Sequence, residues 1–386
     1  MWMHPDDRFT DLTHYDGVLP YLHQLRFFTG AERFAYPAPA AVFYDALLHF
    51  GHSRLLVFLA ATLILVVITA LLFARVLIAR QLSAAAVAAF TICLLLTSWP
   101  LLFLLERGNI EILLVVLTVL GAVSFWHRRP LPAAVCWGLA ASLKLYPLVL
   151  LVLFLHRRDL RALLFGLGTT ALSLLLSFWF IGPTLAIAAA GTLHGISGFV
   201  GSYAAHSRHD ELMHDHSFLA FFKAPLAIQH LHLSSDVSRL SHVYFALVAV
   251  AVVVLFPRLR RLPILNQYIL VTIAMVALPP VSYDYTLLHL YPAFGLLVLL
   301  LLAHERNAST LQASRDATHP RSSTSVLLRQ LLFCFTLLFA SENFLFYLGL
   351  HLNGMIKAAA LFWAAVLLLR SPLPPLRAHD AETPTT

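Results

Sequence analysis

The sequence predicts an all-α, polytopic membrane protein, and three features of its 386 residues predict this class. Hydrophobic residues make up 60% of the chain and charged residues 12%, whereas soluble domains are about 45–50% apolar and about 25% charged. The mean hydropathy is +0.80. Apolar runs of about 20 residues, long enough to cross a bilayer core of about 30 Å, recur along the chain. Disordered and nucleic-acid-binding classes are excluded, because such chains are poor in Leu and Phe.

About nine full transmembrane helices are predicted along the chain. Two of the runs, 55–74 and 162–181, carry no charged residue at all. The other seven are 83–105, 110–126, 241–256, 265–281, 286–303, 329–350 and 355–369.

The segment 131–155 is predicted to be a broken helical hairpin that enters the membrane and returns. It carries Lys144 and Pro147 near its middle. Proline removes a backbone donor, and a central lysine costs about 2.5–3.5 kcal/mol on insertion scales. Short cytoplasmic loops are rich in Lys and Arg, and a hairpin here places all the basic clusters on one side. Those clusters are Arg75/Arg80, Arg128/Arg129, Arg157/Arg158/Arg161, Arg258/Arg260/Arg261, 306–329 and Arg370/Arg377.

This topology divides the chain into five parts. Residues 1–54 form an extracytoplasmic first segment, aromatic and amphipathic enough for interfacial helices. The transmembrane core 55–181 follows, then an extracytoplasmic His-rich loop 182–240, the C-terminal helices 241–370, and a disordered cytoplasmic tail 371–386. Because an exported N-terminus with no signal peptide or preceding span is unusual, we expect one upstream transmembrane helix to be missing.

Ionisable residues inside spans are costly and mark function by default. Glu111, Asp284, Glu342 and Lys357 lie toward the outer ends of their predicted spans, and Lys144 would reach the same region from the hairpin. Taken singly, each could equally be an end-of-helix charge that snorkels to the interface. Their convergence on one leaflet favours a site at the outer face.

The first segment and the His-rich loop add candidates of unequal strength. Asp11 and Asp16 are five residues apart and do not share a helix face, which favours one catalytic carboxylate over a pair. The competing interpretation is that both acids cap an interfacial helix. The loop 182–240 has no HExxH motif, so a lid or acceptor-binding role is favoured over a metal site. No P-loop, GxGxxG or GxSxG motif occurs, and no cofactor is predicted.

Four stretches together resemble the GT-C membrane glycosyltransferases, most closely glycosyltransferase family 87, the polyprenyl-phosphate-mannose-dependent enzymes. The resemblance covers roughly residues 9–300, and the hairpin is its most specific part. The family's first-loop motif resembles Asp11-Leu-Thr-His-Tyr15, and its Tyr-Pro-Pro element resembles Phe34-Ala-Tyr-Pro-Ala38. Its Gly-Gln-(Val/Ile)-Asn helix start resembles Arg107-Gly-Asn-Ile-Glu-Ile-Leu113. Its Gly-Leu-Ala-x-x-x-Lys-x-x-Pro hairpin resembles Gly138-Leu-Ala-Ala-Ser-Leu-Lys-Leu-Tyr-Pro147.

Two elements depart from the family pattern. Ala38 replaces the second proline of the Tyr-Pro-Pro element. The family's Ser-Trp-x-His-His turn reads Ser282-Tyr-Asp-Tyr-Thr286, with Tyr285 and Thr286 at the His positions. His289 lies one helical turn further on and is the candidate substitute, although a lone His in an apolar span is more often a packing residue. These departures leave the acceptor and the donor sugar open.

The resemblance implies an inverting glycosyltransferase that moves a hexose, expected to be mannose, from a polyprenyl-phosphate donor to a lipid or glycan acceptor. It would act at the extracytoplasmic face of the plasma (inner) membrane. Asp11 is the expected general base. Cations stabilise a departing phosphate, and the expected phosphate ligands are Lys144, Arg107 and Arg26. The residues expected to contact the sugar or acceptor are Tyr15, Tyr36, Asp284, Tyr285, His289 and Glu342.

Two alternatives from other classes stay open. A lipid-linked-sugar flippase or transporter would place polar residues through the full membrane depth and carry an inverted repeat. Neither pattern is visible in the sequence. An inactive paralogue that only binds a lipid-linked sugar is consistent with the altered turn at 282–286.

Overall fold

Helices make up almost all of the fold, as predicted. The computed structural model describes residues 8–29, 34–78, 85, 87–88, 92, 98–205, 213–228, 234–313, 323–341, 346–347 and 350–374. The α-helices are α1 (Thr10–Thr13), α2 (Leu25–Thr29), α3 (Ala38–Leu48), α4 (Arg54–Ile78), α5 (Trp99–Arg107), α6 (Glu111–Trp126), α7 (Pro130–Leu143), α8 (Val152–His156), α9 (Leu160–Ile181), α10 (Leu185–Ala205), α11 (Phe218–Ile228), α12 (Ser234–Arg261), α13 (Ile264–Ala277), α14 (Tyr291–Ala313), α15 (Ser323–Phe339) and α16 (Asn353–Arg370). Turns of 3-10 helix cover Leu19–Tyr21, Gly51–Ser53, Tyr146–Leu151 and Asp284–Leu290, and the two-residue strands β1 (Phe346–Tyr347) and β2 (Leu350–His351) pair antiparallel.

The chain is a multi-pass membrane protein. Among the described residues, six helices are long and apolar enough to cross a membrane: Gly51–Leu71, Leu160–Ile181, Leu185–Tyr203, Val237–Arg261, Asp284–Glu305 and Asn353–Arg370. Side chains such as Leu56, Leu164 and Val253 are 66–73% exposed. In water so much exposed apolar surface would be unfavourable, and it suits a surface covered by lipid.

The predicted broken hairpin is confirmed. Helix α7 ends at Leu143, and Lys144 then takes an extended conformation with φ −145° and ψ 141°. The chain returns through the 3-10 helix Tyr146–Leu151, whose first turn contains Pro147, and through α8. Proline fits there because the first turn of a helix leaves its N–H groups without intrahelical partners.

The hairpin packs tightly against its neighbours through glycines. A Cβ on Gly138 of α7 would lie 2.5 Å from the carbonyl oxygen of Gly166 in α9, and Thr170 donates to the Gly138 carbonyl at 2.9 Å. A Cβ on Gly121 of α6 would lie 2.3 Å from Trp137 Nε1. Helices α6, α7 and α9 are therefore closely apposed, as small residues at the contact allow in membrane proteins.

The first segment folds as short helices that cap one end of the bundle. Leu12, Phe27 and Tyr44 join Ile110 and Ile181 in one buried apolar cluster. Two backbone hydrogen bonds attach the segment, from Phe9 N to Glu106 O at 2.7 Å and from His23 N to Ile181 O at 2.9 Å. We call this the first-segment end of the bundle.

Residues 182–240 differ from the loop expected from the sequence. They contain α10, α11 and the start of α12. Helix α10 is long and apolar enough to cross a membrane. It packs against the first segment, because a Cβ on Gly191 would lie 2.4 Å from the Phe28 ring. Gly, Ala, Ser, Thr and His make up most of α10, which lowers its hydropathy and made it resemble a loop.

Two other predicted spans can be compared only in part. The predicted span 329–350 is too long, because α15 ends at Phe339 and β1 and β2 pair beyond it. Of the predicted span 83–105, residues 85, 87–88, 92 and 98–105 are described. The last 12 residues of the predicted tail lie outside the described residues.

Candidate active site

A continuous network of polar side chains is buried at the first-segment end of the bundle. Five stretches of chain meet there: α1, the residues before α3, α6 with the turn before it, the break after α7, and the 3-10 helix Asp284–Leu290. Hydrogen bonds connect the members, which are Asp11, Tyr36, Arg107, Asn109, Glu111, Thr118, Lys144, Tyr146 and His289. We call this set the polar network.

The turn between α5 and α6 supplies three of these members. Gly108 ends α5 with φ +69°, a left-handed conformation that favours glycine. A Cβ on Gly108 would lie 3.1 Å from Leu12 Cβ, so α1 packs directly on the turn. Arg107, Asn109 and Glu111 follow one another around this bend and hydrogen-bond within the network. One tight turn therefore brings a cation, an amide and a carboxylate together.

Asp11 lies in the first turn of α1 and is 9% exposed. One carboxylate oxygen accepts a hydrogen bond from Arg107, and the other accepts one from Asn109 Nδ2 at 2.6 Å. Asp16 pairs instead with Arg54, at 2.5 and 2.6 Å. Neither acid caps a described helix, so the interpretation of both as helix caps is wrong.

Lys144 lies between two aromatic rings. Its Nζ is 5.1 Å from the centroid of Tyr36 and 4.9 Å from that of Tyr285, within the range of cation–π attraction. Tyr15 packs edge-on against Tyr36, with 5.8 Å between the ring centroids. Burial, and then the neighbouring Asp11 carboxylate, raise the pKa of Tyr36, so its hydroxyl stays protonated.

Glu111 is the anionic partner of Lys144. Lys144 Nζ donates to Glu111 Oε2 at 2.7 Å and to Asn109 Oδ1 at 3.0 Å. Glu111 is fully buried, and its Oε1 lies 2.6 Å from His289 Nε2 and accepts from the Tyr146 hydroxyl. An unpaired buried ammonium is strongly destabilising, so this pairing is what allows Lys144 to sit among the helices.

A second buried cluster lies around the turn 282–286. Asp284 is fully buried, accepts from Lys357 Nζ at 2.6 Å and lies 3.5 Å from His216 Nδ1. On its other side, His216 Nε2 is 3.2 Å from the hydroxyls of both Ser282 and Thr286. Burial lowers the pKa of His216 despite Asp284, which favours the neutral imidazole.

The comparison with known families decides which class of protein this site belongs to. The model of glycosyltransferase family 87 matches residues 34–280, more than half of the chain. The chain belongs to glycosyltransferase family 87. The resemblance seen in the sequence is thereby confirmed, and this family 87 protein is a membrane-embedded glycosyltransferase. The match includes Arg107 and Lys144, whereas Asp11 precedes it and Asp284 follows it. No curated protein and no solved structure matches the chain significantly.

Most of the site residues predicted for this glycosyltransferase meet in one place. Tyr15 packs against Tyr36, whereas Asp284 belongs to the second cluster. Arg26 is exposed on α2, with its guanidinium 4.1 Å from the centroid of the Tyr21 ring, and no described contact joins it to the polar network. Glu342 lies outside the described residues. The predicted residues that do come together are Asp11, Tyr36, Arg107, Lys144, Tyr285 and His289.

Sequence reasoning missed several members of the network. Asn109 and Tyr146 lie inside stretches that carry the family 87 resemblance, which was the available signal. Glu111 stood out as an acid at a span end but was not assigned to the site. Thr118 Oγ1, 2.8 Å from His289 Nδ1, gave no signal. His216 lies in the segment predicted as the His-rich loop. Its imidazole Nε2 lies 3.2 Å from the Thr286 hydroxyl, at a position where the family's own turn carries histidine.

A metal site is not evident in the described part of the glycosyltransferase. There, no group of three or more His, Cys, Asp or Glu side chains is arranged to hold an ion. Four histidines of the predicted His-rich loop 182–240 lie outside the described residues: His206, His209, His230 and His232. An open groove of about 580 Å³ between α15 and α16, lined by Phe333, Leu337 and Trp363 among others, contains no member of the polar network.

Proposed function

We propose that this glycosyltransferase is an inverting enzyme that transfers a hexose, expected to be mannose, from a polyprenyl-phosphate donor to a lipid or glycan acceptor. We place the reaction at the extracytoplasmic face of the plasma membrane. The observation that carries the proposal is the polar network. Its hydrogen bonds connect a slightly exposed carboxylate, two cations and two tyrosine side chains.

Lys144 and Arg107 are the proposed ligands of the donor phosphate. Negative charge grows on the leaving phosphate oxygen as the sugar–oxygen bond breaks, and cations placed beside it stabilise that charge. Arg107 offers a guanidinium fork and Lys144 a point charge, both suited to phosphate. At rest they pair with Asp11 and Glu111. A donor phosphate would therefore compete with these carboxylates for the same cations.

Asp11 is the proposed general base. In the transfer, the acceptor oxygen bonds to the anomeric carbon, the bond from that carbon to the phosphate oxygen breaks, and the electron pair leaves with the phosphate. The proton of the acceptor hydroxyl moves to Asp11. An ionised carboxylate has about four lone-pair positions, so hydrogen bonds from Arg107 and Asn109 still leave positions for an acceptor hydroxyl.

Tyr36 and Tyr285 are the proposed walls of the sugar subsite. Both ring centroids lie within 5.1 Å of Lys144 Nζ, so a sugar attached to a phosphate bound at Lys144 would lie beside these rings. Tyrosine hydroxyls are protonated at neutral pH, so both can donate to sugar oxygens.

The test offers the purified protein, reconstituted in lipid, a panel of labelled polyprenyl-phosphate sugars together with lipid and glycan acceptors. We expect transfer from the mannose donor with inverted configuration in the product. Asp11→Asn should retain donor binding and lose transfer by about 10²- to 10⁴-fold, the usual contribution of a general base. Asp16→Asn is the matched control, because Asp16 belongs to the same segment but pairs with Arg54 outside the network.

Wild-type turnover in Asp11→Asn would refute the assignment of the base. Folded wild-type protein that transfers no sugar from any donor would refute the transferase and favour a transporter or a lipid-sugar-binding protein.

A further inference from the structure

We infer that Asn109 is the positioning residue of the site, the single amide that fixes the proposed base Asp11 relative to the proposed phosphate ligand Lys144. The inference rests on the proposed function. Asn109 is fully buried. Its Nδ2 donates to Asp11 at 2.6 Å, and its Oδ1 accepts from Lys144 Nζ at 3.0 Å. The two ends of one planar group thus hold the two residues that act on opposite sides of the reacting carbon.

The chemistry of its neighbours allows only one orientation of this amide. Asp11 as a carboxylate can only accept a hydrogen bond, and Lys144 as an ammonium can only donate one. The backbone N–H of Glu111 also donates to Asn109 Oδ1, at 3.0 Å. A flipped amide would turn its NH2 group toward two donors and its oxygen toward a carboxylate. The amide is therefore locked by its partners.

The backbone holds the amide as firmly as the side chains do. The hydrogen bond from Glu111 N to Asn109 Oδ1 spans two residues and forms an Asx-type turn at the start of α6. Gly108 precedes it in the left-handed conformation, and Ile110 N donates to the Tyr44 hydroxyl at 3.3 Å. The turn thus has few ways to move.

The separation of Asp11 and Lys144 matters because both act in the same displacement. The base must meet the acceptor hydroxyl while the cation meets the leaving phosphate, and misplacement by about 1 Å can cost about 10²-fold in rate. Without the amide, Asp11 keeps its hydrogen bond from Arg107, and Lys144 keeps its ion pair with Glu111 and its contacts with the two tyrosine rings. The two ion pairs would then drift apart, while each cation stays available to phosphate.

The experiment compares Asn109→Ala with Asn266→Ala in the reconstituted full-length protein. Asn266 is also fully buried, but its amide donates to the backbone carbonyls of Leu368 and Ser371, outside the network. We expect Asn109→Ala to lower kcat by about 10- to 100-fold, with the donor KM changed by no more than a few-fold. Asn266→Ala should lower the unfolding temperature and leave the kcat of the folded fraction unchanged.

A second variant keeps the volume and replaces the NH2 donor with an ionisable carboxyl oxygen. Asn109→Asp puts a second carboxyl against Asp11, and when ionised it repels Asp11 and can donate nothing to it. When protonated it can donate to Asp11 again while its other oxygen accepts from Lys144. Transfer by this variant, relative to wild type, should therefore rise as the pH falls. A residue that merely supports the fold would not give this change of pH profile.

The outcomes separate the two ideas. A wild-type kcat in Asn109→Ala, or an Asn109→Asp pH profile identical to wild type, would overturn the role of Asn109 while the transferase stands. Wild-type protein that transfers no sugar would overturn the proposed function and this inference together.

Discussion

Replacing Gly108 with alanine should loosen the contact between α1 and the turn that carries the polar network. Gly108 has φ +69°, and Gly51 has a similar φ of +52°. An L-residue in this left-handed region costs about 1–2 kcal/mol. Gly51→Ala therefore isolates the backbone cost, because a Cβ on Gly51 would meet nothing within 4 Å.

At Gly108 the same substitution adds a steric cost. The new Cβ would lie 3.1 Å from Leu12 Cβ and 3.3 Å from Phe9 Cδ1, so α1 must shift by a few tenths of an ångström. Overpacking of this kind costs about 1–3 kcal/mol. The free energy of unfolding should therefore fall by about 2–5 kcal/mol in Gly108→Ala, against about 1–2 kcal/mol in Gly51→Ala.

Sugar transfer should separate the two variants further. Helix α1 carries Asp11, and Gly108 lies between Arg107 and Asn109, the two residues that donate to Asp11. We expect Gly108→Ala to lose about tenfold or more in kcat and Gly51→Ala to keep wild-type turnover. The free energies come from denaturant unfolding in detergent micelles, and turnover comes from the labelled-donor assay. Equal destabilisation of both variants, or full turnover in Gly108→Ala, would refute the reasoning.

Two further variants test buried positions. Burial raises the pKa of Asp215 to about 7, despite hydrogen bonds from two backbone N–H groups. The folded state then holds this proton between about pH 4 and 7 while the unfolded state releases it. The free energy of unfolding should therefore fall as the pH rises through this window and level off above it. A difference in the free energy of unfolding between wild type and Asp215→Asn that stays constant from pH 4 to 8 would contradict this. Gly121→Ala should lower the free energy of unfolding by about 1–3 kcal/mol, because its Cβ would lie 2.3 Å from Trp137 Nε1. In its control, Gly168→Ala, the Cβ meets nothing within 4 Å, so comparable unfolding midpoints for the two would count against close packing of α6 and α7.

The sequence predicted the membrane class and the broken hairpin because both leave local signals. Long apolar runs need no partner to be recognised, and Lys144 with Pro147 interrupts one of them at its middle. The same reasoning failed for α10, because small and polar residues make up most of this helix and lower its hydropathy. It also failed at the end of α15, because apolar residues resume at 344–350 after the short polar stretch 341–343 and made the run look continuous.

The pairings inside the polar network could not be predicted from local pattern. Asp11 and Arg107 are 96 residues apart, and Glu111 and His289 are 178 apart. A single sequence shows which residue types are unusual within a span but not which of them face one another. The family resemblance brought Asp11, Arg107 and Lys144 forward together. It did not reveal that Asn109 would join them.

Helix ends explain how a bundle suited to lipid can bury these charges. Glu111 occupies the first turn of α6 and Arg107 the last turn of α5, and Lys144 is the C-cap residue directly after α7. A helix dipole favours an anion at its N-terminus and a cation at its C-terminus, by about 0.3–1 kcal/mol in exposed cases and more when partly buried. All three charges stand at the favourable end. An unbroken helix through 131–155 would place Lys144 in mid-helix. Lys144 would then lose both the favourable helix C-terminus and the extended backbone conformation from which its side chain reaches Glu111. The break in the hairpin is therefore the feature that makes a buried cation at Lys144, the proposed phosphate ligand, possible in this chain.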